Sequence, residues 1–271
     1  MIERSDGTRP LYYCRIFSAA GNNLTTMVAV LNLDNYDLPG FMPVVATFGS
    51  ERFGYVVTPN VDHVIRFHDD EIFRDTYGSA SYVLLDSRVL ALLLKMSTGL
   101  IAPVCPGSDL TTQLFRTVIA PTDRVVIIGS TDLQARTLAR EFGLLDLRHF
   151  NPPMDFIRDS AATETCLAFI EACSPFRFCL LAVGSPQQEI IAQQLKRRGR
   201  ARGLALCIGA SINFLTGDEQ RAPAWMQRAA LEWMYRLLSD PARLARRYLI
   251  RGPRVFGVLR NLRIGMRSPD A

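Results

Sequence analysis

Short continuous apolar runs recur along the middle of the chain. Each run ends in a turn or polar residue, and most lead into a segment with helical spacing. The runs begin near Tyr55, Ser81, Arg124, Arg177 and Leu204. Such runs are typical of strands that are buried on both faces, as in a parallel sheet covered by helices. The pattern therefore predicts an α/β fold with a mostly parallel sheet flanked by helices.

Polar residues and glycines stand where these apolar runs end. In an open parallel sheet, ligands bind outside the carboxyl ends of the strands. Residues at these positions are therefore the candidate site residues. They are Thr58, Asn60, Asp86, Gly129, Gly184, Ser185, Gln187 and Gln188.

Asp86 closes an otherwise apolar run and has two interpretations. A carboxylate at a strand end can act as a general base that faces a ligand cleft. Aspartate is also a favoured N-cap for a helix, and a helix is predicted to follow. The residues alone leave both interpretations open.

The segment Gly184-Ser-Pro-Gln-Gln-Glu189 predicts a turn from a strand into a helix. Ser185 can cap the helix, Pro186 fits its first position, and Gln188 fits a capping box. A helix N-terminus can instead receive a phosphate or a sugar hydroxyl on its free amides. Two adjacent glutamines exceed what capping requires, which favours a binding function.

The turn Gly129-Ser130 resembles only the beginning of a dinucleotide-binding turn. Thr131-Asp132-Leu133 follows, so the complete glycine fingerprint is absent. An ordinary tight turn is the better interpretation, and a nicotinamide-dependent oxidoreductase is disfavoured.

The chain changes character near residue 221, where the strand pattern stops and two or three basic helices are predicted. Apolar residues at three- and four-residue steps mark one face of a helix that starts near Pro223, and Pro241 opens a second helix. The apolar positions are Trp225, Met226, Ala229, Ala230, Trp233 and Leu237. We therefore divide the chain into a core, residues 1–220, and a helical appendage, residues 221–271.

Positive charge is concentrated in the appendage. The whole chain has a net charge of +5, while residues 221–271 carry eleven arginines against three acidic residues. The remainder is slightly acidic. This asymmetry indicates an anionic partner, for which nucleic acid, a membrane leaflet and a lipid diphosphate are the candidates.

Other classes of protein find little support in the sequence. No apolar run reaches the roughly 20 residues of a membrane-spanning helix, and no secretory leader is predicted. Six cysteines without metal-site spacing indicate reduced thiols in a cytosolic protein, and three histidines disfavour a histidine metal centre.

A series of motifs resembles the WecG/TagA/CpsF family of bacterial glycosyltransferases. They occur in the family's order over roughly residues 54–250, and the last third is the most specific. The motifs are Thr58-Pro-Asn60, Asp86, Pro106-Gly-Ser-Asp109, Gly184-Ser-Pro-Gln-Gln-Glu189, Gly209-Ala, Arg221-Ala-Pro, Leu231-Glu-Trp-Met-Tyr-Arg236 and Pro241 to Tyr248.

The resemblance implies a Rossmann-like α/β core with a C-terminal appendage and an inverting glycosyl transfer. The donor would be a UDP-sugar carrying an N-acetylmannosamine type of sugar or glucose. The acceptor would be a polyprenyl-diphosphate-linked glycan at an anionic membrane surface, in bacterial cell-surface polysaccharide synthesis. No cofactor and no metal are implied. The protein would be cytoplasmic and peripherally bound to the inner face of the cell membrane.

The resemblance also assigns roles to residues. Asp86 would be the base that deprotonates the acceptor hydroxyl, while Thr58, Asn60 and Gln188 would be polar residues of the active site. Arginines of the appendage would neutralise the leaving diphosphate, because a metal-free transferase needs fixed cations there. These are Arg236, Arg243 and Arg246, and Arg221 is a further substrate-binding candidate.

Three positions depart from the family pattern. Ser87, Val104 and Asn213 stand where many members have glycine, arginine and aspartate, respectively. These departures motivate an alternative hypothesis, a non-catalytic basic module that binds membrane or nucleic acid and has a degenerate nucleotide pocket. The leading hypothesis involves no nucleic acid, and both hypotheses leave homo-oligomerisation open.

Overall fold

The computed structural model describes residues 14–15, 27–28 and 30–267, and only the backbone of Ala224 and Arg243. The strands are β1 (Cys14–Arg15), β2 (Met27–Val28), β3 (Val30–Asp34), β4 (Phe53–Val57), β5 (Tyr82–Val83), β6 (Arg124–Ile128), β7 (Asp146–Phe150), β8 (Phe178–Leu181), β9 (Gly203–Cys207) and β10 (Arg263–Arg267).

Helices connect and cover these strands. They are α1 (Leu38–Thr47), α2 (Val61–Asp69), α3 (Glu71–Gly78), α4 (Arg88–Thr98), α5 (Gly107–Thr117), α6 (Asp132–Glu141), α7 (Ser160–Ala172), α8 (Gln187–Arg198), α9 (Ser211–Leu215), α10 (Ala224–Arg228), α11 (Glu232–Ser239), α12 (Pro241–Ala245) and α13 (Val255–Asn261). A π-helical segment, Arg246–Arg251, follows α12, and short 3₁₀ turns occupy Phe156–Arg158 and Gly252–Arg254.

Six strands form one parallel sheet in the order β5-β4-β9-β8-β6-β7. The predicted α/β fold with a parallel sheet and flanking helices is therefore confirmed. The apolar runs form β4, β5, β6, β8 and β9, which are covered on both faces, so neither face needs polar residues. The edge strand β7 was not predicted, because it is partly exposed and carries the polar residues Asp146, Arg148 and His149.

Two hydrophobic cores lie on opposite faces of this sheet, and the strands supply them alternately. In β8, Cys179 and Leu181 belong to one core, while Phe178 and Leu180 belong to the other. Helices α2, α3, α4, α7, α8 and α13 cover the first face, and α1, α5, α6 and α9 cover the second. Because the strands of this covered sheet are all parallel, their carboxyl ends, and the residues that follow them, lie along the same edge.

The strand connections reverse direction between β6 and β8. From β6 the chain moves outward to β7, whereas from β8 it moves the other way to β9. In open parallel sheets, a crevice for ligands forms at such a switch point, outside the carboxyl ends of the strands. The topology therefore marks the ends of β6, β8 and β9 as a binding position.

The appendage differs from the sequence-based prediction in two respects. The single helix expected from Pro223 onward is wrong, because Ala230 adopts a left-handed backbone with φ 58° and separates α10 from α11. The expectation of helices alone is also wrong, because β10 pairs in parallel with β3 of the core. The alternation of Ile264 and Met266 with arginines is too short to stand out as a strand pattern.

The last part of the appendage is anchored in the core. Val255, Val258 and Leu259 of α13 are buried in the same hydrophobic core as α2 and α4. Together with β10, this helix fixes the end of the appendage beside the edge of the sheet. In the part of the chain that the structure describes, no helix is long and apolar enough to cross a membrane.

Candidate active site

A cavity of about 340 Å³ lies between the core and the appendage, which contribute equal numbers of lining residues. Asp86 lines it from the end of the β5 segment. From the core come also Asn60, Val61, Asp62, Ile65, Ser87, Arg88, Val89, Leu93, Pro106 and Ser108. The appendage supplies Gln227, Ala230, Glu232, Trp233, Arg236, Arg247, Tyr248, Gly252, Pro253, Val255 and Phe256.

The structure excludes the N-cap interpretation of Asp86. Ser87 is the N-cap of α4, and its side chain accepts a hydrogen bond from the Leu90 amide at 3.2 Å. Asp86 is therefore not needed as a cap. Its Oδ1 instead accepts a hydrogen bond from the Gly107 amide at 2.8 Å, and its side chain faces the cavity. Ser87, which departs from the glycine of many family members, therefore serves as the N-cap of α4 in this chain.

The electrostatic environment of Asp86 suits a base. Burial raises the pKa of the Asp86 carboxyl, while the Gly107 hydrogen bond and the charges of Arg236 and His63 offset part of that rise. The nearby Glu232 carboxylate raises the pKa further. A raised pKa brings a carboxylate closer to the basicity that proton abstraction at neutral pH requires.

Thr58 and Asn60 follow β4 and lie beside the Asp86 segment. Asn60 lines the cavity and caps α2, since its Oδ1 accepts from the Asp62 amide at 3.1 Å. Thr58 lies behind Gly107, where an added Cβ would stand 2.9 Å from Thr58 Oγ1. Only glycine therefore lets Thr58 and the Asp86–Gly107 hydrogen bond lie so close together.

A second cavity, of about 250 Å³, lies at the switch point of the sheet. The turns after β6, β8 and β9 line it together with α9, through Ser130, Ala182, Val183, Gly184, Gly209, Ala210, Ile212 and Asn213. Gly129 lies at the same edge of the sheet but does not line this cavity. Its φ of 90° and the distance of only 2.9 Å between an added Cβ and the Ala182 backbone exclude any residue other than glycine here. The structure thus brings Gly184 to this cavity and Asp86 to the other.

The glutamines of the 184–189 segment are placed otherwise than predicted. Gln188 is buried; its Nε2 donates to Glu189 at 2.9 Å, and its Oε1 accepts from the Gly209 amide at 2.9 Å. Gln187 contacts Asp155 at 3.4 Å, and neither glutamine lines a cavity. The predicted capping box is wrong: α8 begins after Pro186 without a side-chain cap bond, and Ser185 Oγ is buried with no partner among the described residues. Gln188 therefore positions the Gly209 turn of the second cavity.

Arg221 joins the appendage to the core. Its guanidinium donates to Asp109 and, at 2.8 Å, to Ser108 at the start of α5. Arg221 does not line either cavity. This contact explains the Pro106-Gly-Ser-Asp109 motif, in which Gly107 holds Asp86 and Asp109 holds Arg221.

Arg236 is the predicted arginine that reaches the cavity. It donates to Glu232 at 2.9 Å, and its guanidinium carbon lies 5.2 Å from the centre of the Phe214 ring. Phe214 directly follows Asn213, which lines the second cavity. Arg236 therefore lines the first cavity and contacts the sequence neighbour of a residue that lines the second, and its charge lowers the pKa of Asp86.

The two other predicted arginines have different outcomes. The side chain of Arg243 lies outside the described residues, and Arg246 is exposed and does not line the cavity. Arg247, which the sequence reasoning missed, does line it. Arg247 is the second residue of the π-helical segment, and Arg246, which the family resemblance suggests as a site residue, is the first. No local sequence signal distinguished these neighbouring arginines.

The fold and the two cavities define an α/β protein with ligand sites along the carboxyl edge of a parallel sheet, completed by a basic appendage. The model of the glycosyl transferase WecG/TagA/CpsF family matches residues 26–268. The chain therefore belongs to this family and is a glycosyltransferase of cell-surface polysaccharide synthesis.

Proposed function

We propose that the protein is an inverting transferase that moves a sugar from a UDP-sugar to a polyprenyl-diphosphate-linked acceptor. The sugar is of the N-acetylmannosamine type or glucose, as the family resemblance suggests. One observation carries the proposal: a cavity-facing carboxylate with a raised pKa, Asp86, lies near a guanidinium, Arg236, at the approach to the switch-point cavity.

The second cavity is the proposed nucleotide site. Its place at the switch point and its glycine turns favour a ligand that approaches the backbone closely. A nucleoside there would direct its diphosphate toward Arg236, which lies over Phe214 beside Asn213. The first cavity then takes the donor sugar and the acceptor hydroxyl.

In the proposed reaction, Asp86 accepts the proton of the acceptor hydroxyl while that oxygen attacks the anomeric carbon of the donor sugar. The bond from this carbon to the diphosphate breaks, its electron pair leaves with UDP, and the configuration inverts. Arg236 stabilises the negative charge that develops on the diphosphate, because a fixed cation needs no reorganisation during the reaction. Thr58 and Asn60 support the Asp86 segment. The proposed step uses no metal ion and no cofactor.

The proposed location is the inner face of the cell membrane, where a lipid-linked acceptor resides. Leu249, Ile250 and Phe256 are exposed, and exposed arginines, including Arg251 and Arg254, lie among them in the chain. Clustered cations near an anionic leaflet contribute roughly 1 kcal/mol each. Flotation with anionic vesicles should show binding that weakens with salt, and an absence of binding at low salt would contradict this location.

The proposed function is tested by a turnover assay that combines a panel of UDP-sugars with a short lipid-diphosphate-linked acceptor. We expect release of UDP with one or two donors and a product of inverted anomeric configuration. UDP should bind in titrations, whereas oligonucleotides should not. A protein that binds oligonucleotides and turns over no UDP-sugar would support the non-catalytic alternative.

A further inference from the structure

Arg247 belongs to the π-helical segment and lines the cavity, and its guanidinium makes no strong hydrogen bond to the described residues. Its Nη2 lies 3.4 Å from Asn60 Oδ1, and its Nε lies 3.9 Å from Asp62 Oδ2. Strong bonds between a guanidinium and an oxygen are about 2.7–2.9 Å long, so both contacts are weak. The Nε atom is buried and has no hydrogen-bond partner among the described residues.

Asp62 carries one negative charge and cannot neutralise both guanidinium groups near it. The same Oδ2 atom lies 3.9 Å from Arg66 and 3.9 Å from Arg247, so one carboxylate is shared by two guanidinium groups. The Nε of Arg66 is likewise buried without a partner among the described residues. Arg66 itself does not line the cavity, whereas Asp62 and Arg247 do. Arg247 Nε is therefore a buried, unpartnered donor beside a carboxylate that is shared with a second guanidinium, and an oxyanion would satisfy this donor.

The cavity is lined by both polar and apolar side chains. Arg236 and Glu232 are among the polar ones, and the Arg236 guanidinium also contacts the Phe214 ring. Apolar side chains of α4 and α13, among them Leu93, Val255 and Phe256, line the cavity as well, and Phe256 is exposed. Arg247 belongs to the appendage segment just before α13 and contacts the start of α2 rather than Phe214.

We propose that Arg247 binds the diphosphate of the lipid-linked acceptor, whereas Arg236 serves the diphosphate of the donor. The assignment to the acceptor rests on the proposed function. An acceptor of this class has a sugar, a diphosphate and an apolar chain in that order. The sugar lies at Asp86, the diphosphate at Arg247, and the first isoprenyl units lie along Leu93 and Phe256.

This arrangement separates two negatively charged groups that must occupy one site together. If one arginine served both diphosphates, donor and acceptor would compete for it. With two arginines that contact different partners, Phe214 for Arg236 and Asn60 for Arg247, each substrate has its own cation, and the acceptor is selected by its charge as well as by its apolar chain. Arg247 is in this sense a specificity-determining residue.

The test measures the binding of a short isoprenyl diphosphate by calorimetry to the full-length protein. We expect Arg247→Ala to weaken binding roughly 10- to 100-fold, the worth of a charge-assisted hydrogen bond, and to leave UDP binding within about twofold. Arg251→Ala is the matched control, because it removes the same charge from the same segment at an exposed position. It should change neither affinity by more than about twofold.

Two further variants separate ligand binding from a role in holding the appendage. Asp62→Asn removes the carboxylate that Arg247 shares, so isoprenyl diphosphate should bind more tightly, which damage to the fold would not produce. Arg247→Lys keeps the charge without the planar pair of donors and should restore part of the affinity. Thermal unfolding of each variant shows whether the appendage remains docked.

The outcomes distinguish this proposal from the proposed function. Equal weakening of UDP and isoprenyl diphosphate in Arg247→Ala, or no binding of isoprenyl diphosphate by the wild-type protein, would overturn the assignment of Arg247. Either result is compatible with turnover of a UDP-sugar. Conversely, specific loss of diphosphate binding in Arg247→Ala would support the site even if no UDP-sugar were turned over.

Discussion

The core and the appendage are built in different ways. The central core strands are buried between two hydrophobic layers, and β8 is completely inaccessible to solvent. The edge strand β7 is partly exposed. In the appendage, α11 and the π-helical segment contain no buried residue among those described. Arg221 at one end and α13 with β10 at the other hold this middle part in place. The core thus provides a rigid edge, and the appendage brings charge to that edge.

This difference also appears in how polar groups are used. In the core, Gln188 and Ser87 make short hydrogen bonds that shape turns. In the appendage, Arg247 makes polar contacts of 3.4 and 3.9 Å with Asn60 and Asp62, and its guanidinium carbon lies 5.8 Å from the centre of the Tyr248 ring. Tightly bonded groups position a site, whereas weakly bonded charges remain available to a ligand. The variants described next test this contrast.

The largest effect is expected for Asp86→Asn. Loss of the proposed base should lower kcat roughly 10²- to 10⁴-fold, while UDP binding remains nearly intact. Asparagine can still accept the hydrogen bond from Gly107, so the turn should persist. Turnover of UDP-sugar at the wild-type rate would remove Asp86 from the mechanism.

The same variant makes a prediction about stability. Burial raises the folded-state pKa of Asp86, so its stabilising contribution is present at low pH and is lost as the pH rises through that value. Asparagine is uncharged at every pH. We therefore expect Asp86→Asn to unfold at or above the wild-type temperature at pH 7, and a marked decrease in Tm would contradict the pKa argument.

Arg236→Ala should give the next largest effect. Removal of one donor that stabilises developing charge costs roughly 10²- to 10³-fold in kcat. Arg246→Ala is a useful comparison, because Arg246 is exposed and does not line the cavity. From this position we expect a change within about twofold. An equal loss in both variants would favour the role that the family resemblance gives to Arg246.

A pair of leucines compares the stability of the two regions. Leu180 of β8 is completely buried, so Leu180→Ala should lower the free energy of unfolding by about 2–5 kcal/mol. Leu249 of the appendage is 59% exposed. Leu249→Ala should therefore change the free energy of unfolding by no more than about 0.5 kcal/mol. Urea denaturation measures both, and similar losses would show that the appendage is packed as tightly as the core.

The smallest effect is expected in the pH dependence of kcat/KM, for the variant Glu232→Gln. Glu232 helps to raise the pKa of Asp86, so Glu232→Gln should lower that pKa. The acid limb of the profile of kcat/KM against pH should then move to lower pH. Glu141→Gln, an exposed change on α6, is the control and should leave the limb in place. A shift to higher pH in Glu232→Gln would contradict the assignment of this limb to Asp86.

Local patterns missed β3, β7 and β10. They were sufficient for the buried strands β4, β5, β6, β8 and β9, for the position of Asp86 at a strand end, and for the arginine-rich end of the chain. Each depends on residues that are neighbours in sequence: a continuous apolar run forms a buried strand whatever lies across the sheet. The match of the family to residues 26–268 agrees with that reading.

Long-range packing decided the rest. Ser87 rather than Asp86 caps α4, Gln188 turns inward to Gly209, and β10 finds its partner more than 200 residues away in β3. Arg247 of the π-helical segment lines the cavity, whereas the neighbouring Arg246 is exposed and does not line it. Which of two neighbouring side chains meets a ligand depends on how the appendage packs on the core. The sequence determines how many arginines the appendage has, whereas the tertiary structure determines which of their side chains line the cavity.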